Sequence, residues 1–282
     1  MKIFRVFDGI NLQNLNNRVT LGIVIPTLGD RMEYLDQLFV SLDGFKISIE
    51  VVVVCPKSQI LAITSLYRGS ANLKIVEDQG TGLANAINQG FREINSKYWN
   101  WIGDDDKLIP VGVEKIIEKL ECDSNLSFGW GGCAYIDEAS NVLSINKTGR
   151  MASKIIFFGP NLIPQPSCVF RFELTKEVGV LDPRLKFAFD QDLIMRLLKI
   201  KNGIFLPVLS AEYRWHANSL TATNKRDSAK ESLNVRLHSS KEFRRALYIV
   251  NYFTFPIVKV ILKTSRGHFR IRKFLKYSLK FK

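Results

Sequence analysis

Apolar positions recur along the chain with two distinct periods, and the order of those periods predicts an architecture. Residues 19–26, VTLGIVIP, form an unbroken aliphatic and β-branched run, as expected of a strand covered on both faces in a parallel sheet. TLGDR (27–31) reads as a turn, and apolar spacing from Met32 to Leu42 reads as a helix. A second continuous strand, IEVVVVC (49–55), is closed by Pro56. The alternation continues with a strand at 73–78, a helix at 83–94 and a strand at 98–102. Strand, helix, strand in repetition predicts an α/β fold with a mostly parallel sheet flanked by helices. Downstream, a helix is expected over 113–122, strands joined by a turn within 128–145, and a helix over 191–200. The chain has no internal repeat and no low-complexity linker.

The strand at 98–102 runs into Asp104, Asp105 and Asp106. In open parallel sheets, ligands gather beyond the carboxyl ends of the strands, where loops and helix N-termini converge. Three adjacent carboxylates raise one another's pKa unless a cation neutralises them. Hard oxygen ligands favour Mg2+ or Mn2+, ions that also bind phosphates. The same residues also suit a solvated turn. A second acidic signal lies in FAFDQDLIMRL (187–197), where Asp190 is expected to cap a helix and Asp192 to sit in its first turn. Capping alone accounts for both residues. Their combination with the triplet, and with His216 in RWHANSLT (214–221), is what suggests a metal or diphosphate site.

Seven segments, IVIPTLGDR, GLANAINQG, WIGDDDKLIP, YIDEASNVL, QPSCVFR, VGVLDPRLKFAFDQDLIMRL and YRWHANSLT, occur in this order between about residues 19 and 222. Together they resemble glycosyltransferase family 2, whose fold is the GT-A nucleotide-sugar-binding α/β domain. The resemblance implies an inverting single displacement. A carboxylate takes the acceptor hydroxyl's proton, and Mn2+ or Mg2+ offsets charge on the departing diphosphate. It implies Asp190 as the base; the Glu that usually precedes that position is Phe189 here. For the metal, a D-x-D reading selects Asp104 and Asp106. Counting without gaps from Asn88 instead places Gly103 and Asp105 at the family's two acidic positions. That count makes Asp105 the principal ligand, assisted by Asp106 and His216, with Asp104 facing the donor's ribose or sugar. Which of the three carboxylates binds the metal directly stays open.

The family's Asp-Asp-Gly-Ser-like turn after the second strand is replaced by Cys55, Pro56, Lys57 and Ser58, so only its Ser survives. Pro26, Thr27, Arg31, Asp78, Gly82 and Asn88 remain as donor-binding candidates beside Asp104. Thr27, Arg31 and Asp78 offer polar groups, whereas Pro26 and Gly82 offer shape. The expected donor is a UDP-sugar, and the expected acceptor a glycan or a lipid-linked glycan.

Composition narrows the class. A length of 282 residues suits one α/β domain with an extension. Apolar residues at 46% and charged residues at 24% exclude disorder as the main state. The net charge of +13 is uneven: residues 241–282 hold 12 Lys and Arg against Glu242, leaving only +2 for the first 240 residues. Such a tail meets polyanions. Its apolar stretch 246–262 has 17 residues and contains Pro256 and Lys259, short of the roughly 20 that span a bilayer. In FRIRKFLKYSLKFK (269–282), Ile271, Phe274, Leu275 and Ser278 share one helical stripe among basic residues. A basic amphipathic helix of this kind rests on an anionic membrane surface; a merely solvated helix is the alternative.

These features divide the chain into a catalytic domain over 1–235 and a membrane-associating helical tail over 236–282, and predict a cytoplasmic protein peripheral on the inner face of the membrane. The N-terminal segment has charges at positions 2, 5 and 8 and lacks an apolar run of secretory type. Cys55, Cys122, Cys133 and Cys168 have no metal-finger spacing and are expected as reduced core residues. Three other readings compete. GTGLAN (80–85) matches a dinucleotide fingerprint poorly, because Asn85 stands at its last position. The tail lacks a nucleic-acid-binding signature, so no nucleic-acid partner is expected. A catalytically inactive scaffold of the same fold is the third.

Overall fold

The computed structural model describes residues 18–146, 148–215 and 225–239; His216 and the basic tail from 241 lie outside them. The first two aliphatic runs form β1 (Val19–Pro26) and β2 (Ile49–Cys55), which pair in parallel. β3 (Asn72–Glu77) flanks β2 and β4 (Ser96–Trp101) flanks β1, also in parallel. Alternate residues of β1 and β2 feed two cores, which explains why these runs show no polar face. Leu21, Ile23 and Ile25 pack with Leu35 and Leu38 of α1 (Met32–Leu42), Ile63 of α2 (Ile60–Leu66), and Ile116 of α4 (Pro110–Glu121). Val24, Val52 and Val54 pack with Ile87 and Phe91 of α3 (Leu83–Glu93). Gly90 permits that second contact, since a Cβ there would stand 2.4 Å from Val24 Cγ1.

Beyond β4 the sheet becomes mixed. β8 (Cys168–Arg171) pairs antiparallel with β4, and β6 (Leu126–Ile136) antiparallel with β8. β9 (Asn202–Arg214) runs parallel to β6, while β5 (Lys107–Leu108) pairs antiparallel with β9. β7 (Val142–Asn146) lies on β6. Among the described residues the strand order is β3-β2-β1-β4-β8-β6-β9-β5, so β4 and β5 are separated by three strands in the sheet but by only residues 102–106 in the chain. Register shifts interrupt the β6–β9 pairing. The mostly parallel arrangement expected from sequence therefore holds from β3 to β4.

The remaining helices are α5 (Ala152–Ile155), α6 (Phe172–Val178), α7 (Phe189–Ile200) and α8 (Lys225–Ser239). The starts of two helices differ from the sequence reading, each for a local reason. α4 begins at Pro110, whose missing N–H costs nothing at a helix start. α7 begins at Phe189 with Ala188 before it, so Asp190 lies inside the first turn rather than at the cap. Cys55, Cys133 and Cys168 are buried as expected, but Cys122, at the end of α4, is exposed. α8 buries Val235, Arg236 and Leu237. Among the described residues no helix is long and apolar enough to cross a membrane.

Candidate active site

Because β1 and β4 are parallel neighbours, the turn after β1 meets the acidic triplet after β4. Ile102 extends the pairing, its N–H donating to Val24 O at 3.0 Å. Thr27 Oγ1 then donates to Asp104 Oδ2 at 2.5 Å, and the same hydroxyl accepts the Gly29 N–H at 2.9 Å. The Arg31 guanidinium bridges two carboxylates, lying 2.5 Å from Asp104 Oδ1 and 2.5 Å from Asp105 Oδ2. Asp106 is held from the opposite side, where its Oδ1 accepts the backbone N–H of Arg214 at 2.8 Å. The buried Arg214 side chain donates to the carbonyls of Asp105 (2.9 Å), Asp137 (2.7 Å) and Glu138 (3.0 Å) and to Gln37 Oε1 (2.9 Å). Its guanidinium stands 4.2 Å above the Tyr34 ring.

Burial dominates the electrostatics of the triplet. It pushes Asp104 up to about 6, against the Thr27 hydroxyl and the Arg31 charge. Asp106 rises well above the usual carboxylate range through burial and then the charge of Asp105. Three adjacent carboxylates form an all-oxygen donor set, the kind that suits a hard divalent cation. Asp105 is the most exposed of the three, at 9% against 1% for Asp104 and 4% for Asp106. Among the described residues no three His, Cys, Asp or Glu side chains converge as a ready-made metal cluster.

Asp190 reaches the same end of β4 by packing. Trp101, the last residue of β4, stacks on Phe170 at 5.5 Å and contacts Phe189 at 6.4 Å, which sets the first turn of α7 beside the strand end. Two buried thiols feel the acidic groups: Cys133 is pushed up by burial and then by Asp106, Cys168 by burial and then by Asp190. Asp190 is partly exposed. Its Oδ2 accepts Asn161 Nδ2 at 3.0 Å. Burial raises its pKa to about 6, opposed by the backbone N–H groups of Gln191 and Asp190 and by Asn161, and assisted by the Glu231 charge. Asp192 serves differently, taking Arg196 Nε at 2.8 Å while that guanidinium also donates to the carbonyls of Val178 (2.7 Å) and Val180 (2.8 Å).

The other expected donor residues divide. Pro26 ends β1 opposite Val54, and Asp78 follows β3, its N–H on Cys55 O at 2.8 Å and its Oδ1 accepting Gly80 N–H at 3.0 Å. Gly82, at φ 101°, opens α3 with free space around its Cα. All three lie at the carboxyl edge of the parallel strands. Asn88 does not: it is buried in α3, with Nδ2 donating to Leu181 O (2.8 Å) and Oδ1 accepting Leu181 N–H (3.1 Å). Its amide fastens α3 to the segment before α7 and is not presented to a donor. Sequence reasoning missed Asn161, Arg214 and Gln165, whose Nε2 clasps Trp101 O (2.7 Å) and Asn100 Oδ1 (3.0 Å). Gln165 and Arg214 lie within motifs noted above, but nothing in their spacing marked them out.

No protein-family model matches the chain. Its relatives include an uncharacterised glycosyltransferase of Rickettsia typhi, 25% identical over 211 residues, spanning 72% of this chain and 66% of the relative. Another, from Haemophilus influenzae, is 21% identical over 185 residues, spanning 64% of this chain and 62% of the relative. The chain thus spans just under two thirds of their length. The fold is similar to S. aureus TarS residues 1–349 in complex with UDP-GlcNAc, with TM-score 0.62 and 15% identity over 83% of this chain and 72% of that one. It is also similar to the mannosyltransferase PcManGT of Pyrobaculum calidifontis in complex with GDP-Man and Mn2+, with TM-score 0.60 and 14% identity over 94% and 81%. These likenesses establish the α/β fold, a mixed sheet flanked by helices.

Proposed function

We propose that this chain is an inverting glycosyltransferase that moves a sugar from a nucleoside-diphosphate donor to an acceptor hydroxyl, as its resemblance to glycosyltransferase family 2 implies. The carrying observation is that Asp190 and the Asp104–Asp106 triplet flank one strand end, β4, with contrasting surroundings. The relatives named as glycosyltransferases support the class. In the reaction, the acceptor oxygen bonds to the anomeric carbon as the bond to the diphosphate oxygen breaks. The acceptor proton passes to Asp190, and the electron pair leaves with the nucleoside diphosphate. A carboxyl of pKa about 6 is well matched to this task, ionised at neutral pH yet more basic than a free Asp. Asn161 holds one of its oxygens and keeps the carboxylate in place at the start of α7.

Arg31 and Thr27 stand where the donor diphosphate would lie, with Pro26, Asp78 and Gly82 along the same edge. Asp105, with Asp106 and His216, would hold Mn2+ or Mg2+, which when bound offsets charge on the leaving diphosphate. A UDP-sugar is the proposed donor; the S. aureus neighbour binds UDP-GlcNAc and the archaeal one GDP-Man with Mn2+. The proposed acceptor is a glycan or lipid-linked glycan at an anionic membrane surface, met by a basic tail, 236–282, that follows a catalytic domain spanning 1–235.

The test begins with nucleotide-sugars added with and without Mn2+. A true donor raises the melting temperature, because it binds only the folded state. Asp190→Asn should then lower turnover by about 10²- to 10⁴-fold while that thermal shift persists. Loss of both together would assign Asp190 a structural role, and donor binding without turnover in the native chain would leave an inactive scaffold.

A further inference from the structure

The helix that carries Asp190 is gripped by the last described helix, α8. Glu231 Oε1 accepts the backbone N–H groups of Phe187 and Ala188, both at 2.7 Å, and its Oε2 accepts that of Lys186 at 3.1 Å. These residues lead into α7, and Ala188, at its start, has no side chain able to cap. One turn further, Ser232 Oγ donates to Gln191 Oε1 at 2.6 Å, next to Asp190. Arg236 donates to Ser232 Oγ and to Gly159 O, each at 2.8 Å. Gly159 lies two residues before Asn161, whose amide holds the Asp190 carboxylate. A single helix therefore fixes both supports of Asp190, the start of α7 and the 159–161 segment. A helix that only covered the core would need Val235 and Leu237, but not a carboxylate aimed at three consecutive N–H groups.

We infer that Glu231 is a positioning residue for the transfer reaction, holding residues 186–188 so that the first turn of α7 presents Asp190 to the acceptor hydroxyl. The inference rests on Asp190 as the base. Hydrogen bonds to an ionised acceptor are roughly twice as strong as neutral ones, so Glu231 fastens this turn more firmly than a neutral acceptor would. Its Oε1 makes two of the three bonds, and Gln in its place keeps both of those.

The test compares Glu231→Ala, Glu231→Gln, Asp190→Asn and the Ala/Asn double variant in the full chain. Nucleoside diphosphate release is measured from UDP-GlcNAc and from GDP-mannose with Mn2+, and amide hydrogen exchange is followed over residues 186–192. Glu231→Ala should lower kcat by about ten- to a hundredfold with KM nearly unchanged, since a displacement of about 1 Å is enough for such a loss. Exchange at Phe187 and Ala188 should speed up in that variant. Glu231→Gln should restore most of the rate and the protection, and Glu231→Ala should add nothing to the loss in Asp190→Asn. Unchanged kcat or unchanged exchange in Glu231→Ala would overturn the inference, as would equal losses of kcat and donor affinity. Full turnover in Asp190→Asn would instead overturn Asp190 as the base, and the exchange data would then report on the clamp alone.

Discussion

Asp104 and Asp190 are both pushed to about 6, and burial is the leading cause for each. What opposes burial differs. Asp104 is steadied by a hydroxyl and a guanidinium, within a cluster that a second arginine, Arg214, braces from behind. Asp190 is steadied by amides alone: Asn161 and the N–H groups of its own helix turn. A carboxylate paired with a guanidinium is committed to charge pairing, which suits binding. One held by neutral dipoles keeps its basicity, which suits proton transfer. The difference in partners, more than the shared shift, separates the two roles.

The sharpest way to break that comparison is to remove the brace on each side. Arg214→Ala should destabilise the fold by about 3–5 kcal/mol, because it strips a buried cation from several acceptors at once. Arg214→Lys should recover little of this, lacking the planar fork. Asn161→Ala should cost less, about 1.5–3 kcal/mol, as for one hydrogen bond to a charged group. Chemical denaturation of the three variants measures the contrast, and equal losses for Arg214→Ala and Asn161→Ala would erase it.

A second effect is smaller and concerns pH. A base raised to about 6 must be ionised to act, so the rate should fall as pH drops through 6, to about a tenth of its plateau near pH 5. Removing Asn161, which lowers the Asp190 pKa, should move this limb to higher pH. If Arg31→Ala moved the limb instead, Asp104 would be the group being titrated. The smallest effect concerns Arg31 itself, a partly exposed ion pair worth about 1 kcal/mol at most. Arg31→Ala should lose that stability at pH 7 and regain it when Mn2+ is added. A thermal response to Mn2+ identical to that of the native chain would mean that Asp104 and Asp105 do not face a cation site.

The parts of the molecule that could be read from sequence are those whose physics is local. β1 and β2 announce themselves because both faces are buried, and the triplet because three like charges adjoin. β8 is four residues long, too short to show a period, and the pattern of β9 is broken by Pro207. α8 is almost wholly polar, with its few buried residues near one end. The braces of the site were hidden for a different reason. Arg214 reaches Asp106 across 108 positions, Glu231 reaches Ala188 across 43, and Asn161 reaches Asp190 across 29. Spacing rules carry no information at those separations. Asn88, a donor-binding candidate by its position in the resemblance, has its structural partner, Leu181, 93 residues away.

The short link from β4 to β5 has a mechanical consequence. Four inter-strand steps at about 4.8 Å each would put the two strands roughly 19 Å apart in a flat sheet. Six peptide units reach about 20 Å only when fully stretched, and this link is folded by the Asp106 N–H on Gly103 O at 3.2 Å. The sheet must therefore roll toward itself, and the register shifts between β6 and β9 give it the means. The acidic residues act as a tie-rod across the mouth of that curve, and its length limits how far β4 and β5 can part.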